Sequence, residues 1–383
     1  MTLRLKIFDL LKQKKTLFIL IVFGLICKLA LLPIQTGDSV FFLRWINFIQ
    51  SHGFASSLKF DFYDYTPAYI YFLIGIAKVG LNPLFSLKII SVFFEYVAAF
   101  FIGKIAFLKY RTNLVIWVCL AIIPLLPTVI LNSSYLSQCD SIYAAFVFGS
   151  IYFALTKKQL LSVLFLGIAF SFKIQTAIIL PFYFVLMLRN DIKWYYFSLV
   201  PVVFVVSILP AWLYGRPFAE LINIYVFQSN YFKYLTMNFP NPYMWISNDF
   251  YEPVKIAGLI LTTTITLFTG FWLRNKKYVF DFEMWVKLAF LSAIFIPFIL
   301  PGMHERYMYM GDILGVLYFL TCRKNIHLAL GIILVSFYSY IRCSRYNDIL
   351  PMEPALIIYL LVIIFVCADF VKSLKTPANE TVE

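Results

Sequence analysis

The sequence predicts an all-α, polytopic membrane protein of about twelve transmembrane helices, with juxtamembrane helices in its first outer loop. Three observations carry that prediction. The chain is 62% hydrophobic and only 13% charged, with a mean hydropathy of +0.84, which is too apolar for a water-soluble domain. Uncharged runs of spanning length recur from end to end, and inside lipid a helix satisfies its own backbone polar groups. The formal net charge of +13 collects in the loops between those runs. There Lys and Arg fix orientation, and no nucleic-acid partner is implied.

Taken in order, the N-terminus "MTLRLKIFDLLKQKKTLFILIVFG" has a basic start and an apolar run without a small-residue cleavage pattern. It reads as a retained signal anchor. Apolar runs then predict helices over 16–34, 84–107, 114–131, 141–156, 159–172, 174–188, 194–213, 253–273, 284–300, 308–321, 326–341 and 353–371. The stretch 66–80 is shorter, opens at Thr66-Pro67 and ends at Lys78 and Gly80. Placed on the surface rather than across the bilayer, it lets one face collect nearly all loop cations. These are Lys12, Lys14 and Lys15; Lys109 and Arg111; Lys157 and Lys158; Arg189 and Lys193; Arg274, Lys276 and Lys277; Arg323 and Lys324; Lys372 and Lys375. That face is therefore cytoplasmic, the N-terminus with it. The whole chain, 1–383, reads as one integral membrane domain. It comprises an outer juxtamembrane loop (35–83), a core helical module (84–213), an outer aromatic loop (214–252) and a C-terminal helical module (253–383). The six cysteines form no C-x-x-C pair and read as packing residues.

The opposite face gathers the polar and acidic residues. After Asp38, residues Phe41, Phe42, Trp45, Ile46 and Ile49 recur at helical spacing and predict an amphipathic helix on the membrane surface. Asp38 is then either the cap of that helix or a carboxylate able to take a proton from an acceptor hydroxyl. Asp64, in "FYDYTPAYIYFL", has aromatic company that suits either an interfacial belt or a sugar face. Gln138 and Asp140 lie in "NSSYLSQCDSIY". His304, Glu305 and Arg306 form a charged turn, which could be a local ion pair or a phosphate site. Arg306 and Lys173 are the residue types that hold phosphate as a fork and as a point charge. Long loop 214–252 contains "NIYVFQSNYFKYLTMNFPNPYMWISNDF", whose aromatic density fits a groove wall better than a disordered linker. No Walker loop, dinucleotide motif, nucleophile elbow or recognised metal-ligand spacing is present.

Gly37-Asp38, "FYDYTPAYIYFL", "SYLSQCDSIY", "SFKIQTAIILP", "FPNPYMWI" and "MHERYMY" occur in this order. The set resembles GT-C fold glycosyltransferases, specifically the bacterial polyprenyl-phosphate-sugar-dependent group. The dolichyl-phosphate-glucose-dependent transferases of N-glycan assembly are more distantly similar. The resemblance spans about Asp38 to Asp312. The chain departs from it at Thr66-Pro67, where two prolines are common, and at Leu136-Ser137-Gln138, where Trp-Gly-Gln is common. The resemblance implies a hexosyltransferase of the cell envelope, acting in the cytoplasmic membrane with its active site outside. It would move a sugar from a polyprenyl-phosphate donor to a lipid-linked glycan, a surface polymer or a protein, with inversion. Asp38 would be the general base; His304, Arg306 and Lys173 would meet the donor phosphate; Asp64, Gln138, Asp140, Glu305 and Trp245 would contact sugar or acceptor. No cofactor is implied, and a divalent metal stays open. The alternatives are a transporter or flippase of a lipid-linked sugar, and a polymerase or ligase using a pyrophosphate-linked donor.

Overall fold

The apolar runs become helices almost residue for residue in the computed structural model, which describes residues 13–322, 326–345 and 350–374. Lys12, Arg323, Lys324 and Lys375, counted above among the loop cations, lie outside these residues. The chain divides into two compact units. One comprises Met1–Phe153, Leu160–Thr176 and Phe197–Phe232, and the other Ala154–Gln159, Ala177–Tyr196 and Lys233–Glu383.

In the first unit, helix α1 (Lys14–Leu31) is followed by α2 (Gly37–His52), α3 (Pro67–Val79) and the long α4 (Pro83–Tyr110). Next come α5 (Leu114–Ile122), a 3-10 turn at Ile123–Leu125, α6 (Pro127–Ile130) and a π-turn at Leu131–Tyr135. The axis bends by 60° between Leu114–Leu125 and Pro127–Tyr135. Pro124 and Pro127 each remove a backbone donor at that bend. Helices α7 (Asp140–Leu155), α8 (Gln159–Phe172), α10 (Leu199–Leu213), α11 (Phe218–Ile222) and α12 (Ile224–Tyr231) complete the unit; α9 (Leu180–Leu188) belongs to the second. Helices α4 and α5 approach so closely that a Cβ on Gly103 would stand 2.7 Å from the Ile116 Cα. Only glycine fits there.

The second unit continues with strand β1 (Thr236–Met237), α13 (Tyr251–Leu273), α14 (Phe282–Ile299), β2 (Met303–His304), α15 (Tyr309–Cys322), α16 (Ile326–Arg345) and α17 (Glu353–Ser373). Helices α14 to α17 pack in sequence, and α17 returns to α14. A cation is neutralised at the buried Lys287, whose Nζ lies 2.8 Å from Asp369 Oδ2.

The all-α class holds, but twelve crossings do not. Among the described residues six helices are long and apolar enough to cross a membrane, or seven if the bent pair is one span. The six are Pro83–Tyr110, Trp194–Leu213, Asn248–Leu273, Phe282–Ile299, Ile326–Ser344 and Glu353–Ser373. The runs expected at 141–156, 159–172, 174–188 and 308–321 form apolar helices of only 10–17 residues. At roughly 1.5 Å per residue these fall short of a hydrocarbon core about 30 Å thick. The 13-residue α3 is likewise too short.

Helix α2 differs from the expectation as well. Its apolar stripe does not face lipid: Phe42, Trp45, Ile46 and Ile49 are buried with Tyr69, Ile70, Leu73 and Ile76 of α3. Phe41 lies outside that stripe and is 41% exposed. Protein packing wins over the membrane surface because α3 presents its own apolar face, with Tyr69, Leu73 and Ile76 at i, i+4 and i+7.

Candidate functional site

Two polar clusters contain most of the residues singled out from the sequence, one in each unit. The first begins at Asp38, in the first turn of α2. The cap of that helix is Thr36. Its Oγ1 accepts from Ser39 N, and Ser39 Oγ accepts in return from Thr36 N at 2.7 Å. Asp38 is thereby released from capping, and its half-buried carboxylate lies at the positive end of the helix dipole. Gln138 Nε2 donates to Asp38 Oδ2 at 2.7 Å. The other carboxylate oxygen takes no hydrogen bond among the described residues.

Behind Gln138 the cluster is buried. Gln138, Asp140 and Lys173 are 2%, 1% and 4% exposed. Gln138 Oε1 accepts from Tyr65 Oη at 3.3 Å and from Lys173 Nζ at 3.4 Å. Lys173 Nζ also pairs with Asp140 Oδ1 at 2.7 Å and sits 5.0 Å from the Tyr65 ring centroid. Asn132 Nδ2 donates to Asp140 Oδ2 at 2.7 Å. The result is a continuous path of polar contacts from Asn132 through Asp140, Lys173 and Gln138 to Asp38. Removing one partner of the buried Lys173–Asp140 pair would cost on the order of 3–5 kcal/mol, because an uncompensated charge is left inside.

The local chain explains this arrangement. The π-turn closes with Leu136 N donating to Leu131 O at 2.9 Å, and Gln138 N then donates to Asn132 O at 2.8 Å. Between them Ser137 takes the left-handed conformation, with φ +62°. That reversal returns the chain so that Asn132 meets Asp140. On the other side Thr66 is fixed by its Oγ1 hydrogen bond to Ser171 O at 2.6 Å, which ties the turn bearing Asp64 and Tyr65 to the segment bearing Lys173. Asp64 is half-buried, and its carbonyl accepts from Gln228 Nε2 at 2.6 Å. It does not start a helix, since α3 is capped at Thr66. Burial pushes the Tyr69 hydroxyl well above the usual phenol range. Burial also raises Tyr63, against the opposing pull of the Arg216 guanidinium. Both phenols therefore stay protonated at neutral pH.

The second cluster is the charged turn. Strand β2 pairs in parallel with β1, Thr236 with Met303 and Met237 with His304. The turn into β2 needs Gly302, at φ +75°, and Gly302 N donates to Leu235 O at 2.7 Å. Glu305 is 3% exposed. Arg306 Nη1 donates to its Oε1 at 2.8 Å, while His304 Nδ1 lies 3.8 Å from its Oε2. Glu305 is thus flanked by His304 and Arg306 and is the counter-charge of Arg306, which is the local ion pair that the sequence offered as one reading. Trp245 stands apart from this turn's bonding and is 66% exposed.

A cavity of about 740 Å³ also lies in the second unit, bounded by β1, the Tyr243–Ile246 turn, Arg342 and the start of α17. None of the single site residues chosen from sequence lines it, but the aromatic loop 214–252, read there as a groove wall, supplies most of its lining. Sequence reading also missed Asn132, Tyr65 and Thr66 as partners of the first cluster. Asn132 stood in a quoted motif, but its value lies in meeting Asp140 across the π-turn, which no helical periodicity signals. Also missed was a buried ion pair, Lys28 Nζ to Glu95 Oε2 at 2.6 Å, between α1 and α4. No family model, curated protein or solved structure matches the chain.

Proposed function

We propose that the protein is an integral membrane glycosyltransferase that moves a hexose from a polyprenyl-phosphate donor to a glycan or protein acceptor on the outer face of the cytoplasmic membrane. One observation carries the reading. Asp38 does not cap its helix, is held through one oxygen by a buried amide, and keeps its other oxygen without a hydrogen bond among the described residues. A carboxylate oriented in that way is suited to take a proton from an attacking hydroxyl. The hydroxyl then bonds to the anomeric carbon as the carbon–oxygen bond to the phosphate breaks, which inverts the centre. The leaving phosphate carries the electron pair away, and the resemblance is what assigns His304, Arg306 and Lys173 to meet it.

The buried residues take holding roles in this scheme. Gln138 orients Asp38, and Asp140 with Asn132 holds Lys173. Glu305 holds Arg306. Asp64 and Trp245, which are less enclosed, keep their roles as sugar contacts. The proposed orientation keeps the basic N-terminal start inside, which puts Asp38, one apolar run later, outside.

The test uses purified wild type and Asp38→Asn, each incubated with polyprenyl-phosphate sugars and an acceptor-containing lipid extract. Free polyprenyl phosphate and glycosylated product are scored together. Asp38→Asn should lose about 10²- to 10⁴-fold in turnover while its donor affinity changes little. An equal loss in both would make Asp38 structural.

A transporter of lipid-linked sugar is the second reading. The observation in its favour is the bent span 114–135, with Asn132, Ser133 and Ser134 buried at its end. Movement of labelled lipid across a vesicle bilayer, with no product from any donor, would replace the first reading by this one.

A further inference from the structure

The cavity in the second unit has a lining whose chemistry is specific. Arg342 is fixed in its wall: Nε donates to Leu350 O at 2.8 Å, and Nη1 donates to Asn238 Oδ1 at 2.6 Å. Asn248 Oδ1 accepts from Leu235 N at 2.8 Å. In both asparagines the oxygen must be the atom that accepts, because its partner can only donate, so the amide orientation is dictated by chemistry. Each therefore keeps its NH₂ edge, and Arg342 keeps Nη2, without a partner among the described residues. Glu353, in the first turn of α17, also lines the cavity and makes no ion pair among the described residues. Tyr234 and Tyr243 are among the aromatic residues of the wall.

Surplus donors call for a ligand rich in oxygen. The Glu353 carboxylate calls for one that also donates, and it repels an anion. A hydroxyl does both, accepting from Arg342 or an asparagine amide while donating to Glu353. Flat apolar faces on the tyrosines match the C–H face of a pyranose ring. The volume lies within the roughly 300–1,000 Å³ of small-molecule sites. We propose that this cavity binds a neutral saccharide unit. The inference rests on the glycosyltransferase reading, under which the occupant is a sugar of the acceptor glycan, making the acceptor an oligosaccharide rather than a single sugar or a bare lipid. Thr236 and Met237 line the cavity and pair with Met303 and His304. One side of β1 thus borders the cavity while its other edge meets the strand that carries His304.

The experiment measures binding without turnover. Full-length protein in nanodiscs of zwitterionic lipid is titrated with a panel of neutral hexose and N-acetylhexosamine di- and trisaccharides, with a glucuronate-bearing disaccharide and with inorganic phosphate, read by saturation-transfer NMR. Wild type and Asp38→Asn should bind at least one neutral saccharide alike. Glu353→Gln and Arg342→Ala should each weaken that binding by about ten-fold or more. Glu353→Gln guards against a folding defect in Arg342→Ala, since Glu353 is exposed and anchors no other group. Absence of neutral saccharide binding, binding indifferent to Glu353→Gln, or preference for glucuronate or phosphate overturns the proposal. Transfer activity in wild type with no saccharide binding defeats the cavity assignment alone. Binding that follows the variants in a protein inactive with every polyprenyl-phosphate donor defeats the transferase reading and leaves the subsite standing.

Discussion

Ser137 is a residue whose identity opposes its conformation. With φ +62° it occupies the left-handed region, which costs a residue bearing a Cβ about 1–2 kcal/mol. Its buried hydroxyl makes no hydrogen bond among the described residues, so deleting the side chain forfeits no polar contact. Ser137→Gly should raise stability by about 0.5–1 kcal/mol, since glycine gives back part of the gain as entropy in the unfolded chain. The measurement is the thermal midpoint of the purified variant; a midpoint unchanged or lowered would show that the turn is not strained. The turn was not legible in the sequence, since serine is not a residue that signals a left-handed backbone. The capping reading of Asp38 did not hold, because the cap is Thr36. Thr36-Gly37-Asp38-Ser39 holds a capping pair two residues earlier than the carboxylate suggests. The buried state of Gln138, Asp140 and Glu305 was not legible, because loop sequence does not say which side chains turn inward.

At the scale of elements, apolar runs located nearly every helix, because burial in lipid or protein requires the same uninterrupted hydrophobic stretch. Whether a helix crosses was not legible from that signal alone. Runs such as 159–172 are apolar because they are packed among other helices, yet they are short of a bilayer's thickness. Pairing between elements was also hidden. Lys28 and Glu95 are 2% and 0% exposed and lie on α1 and α4, far apart in sequence. Each alone reads as a flaw in an apolar run; together they clamp two helices. Removing either one should destabilise the protein by about 3–5 kcal/mol, whereas replacing both with apolar residues of similar size should cost far less. A cycle of Lys28→Met, Glu95→Leu and the double variant, followed by thermal unfolding in detergent, measures the coupling. Additive losses would show that the two charges do not depend on each other.

For the whole molecule, chemistry and orientation are one question. A polyprenyl-phosphate donor is the sensible substrate only if the Asp38 side faces a compartment without nucleotide sugars, which is the orientation proposed from the basic start before the first apolar run. Gln50 on α2 is exposed on the expected outer side, and Thr112, between α4 and α5, is exposed on the expected inner side. In a variant with the exposed thiol Cys343 replaced by Ser, Gln50→Cys should react with a membrane-impermeant maleimide in intact cells. Thr112→Cys should react only after permeabilisation. The reverse pattern would place Asp38 in the cytoplasm, where nucleotide sugars abound and a lipid-linked donor loses its rationale. It would also put the basic N-terminal start outside, against the rule that governs insertion. Labelling from both sides at Gln50 would mean that α2 lines a passage open to each compartment in turn, which is what a transporter requires and a one-sided transferase does not.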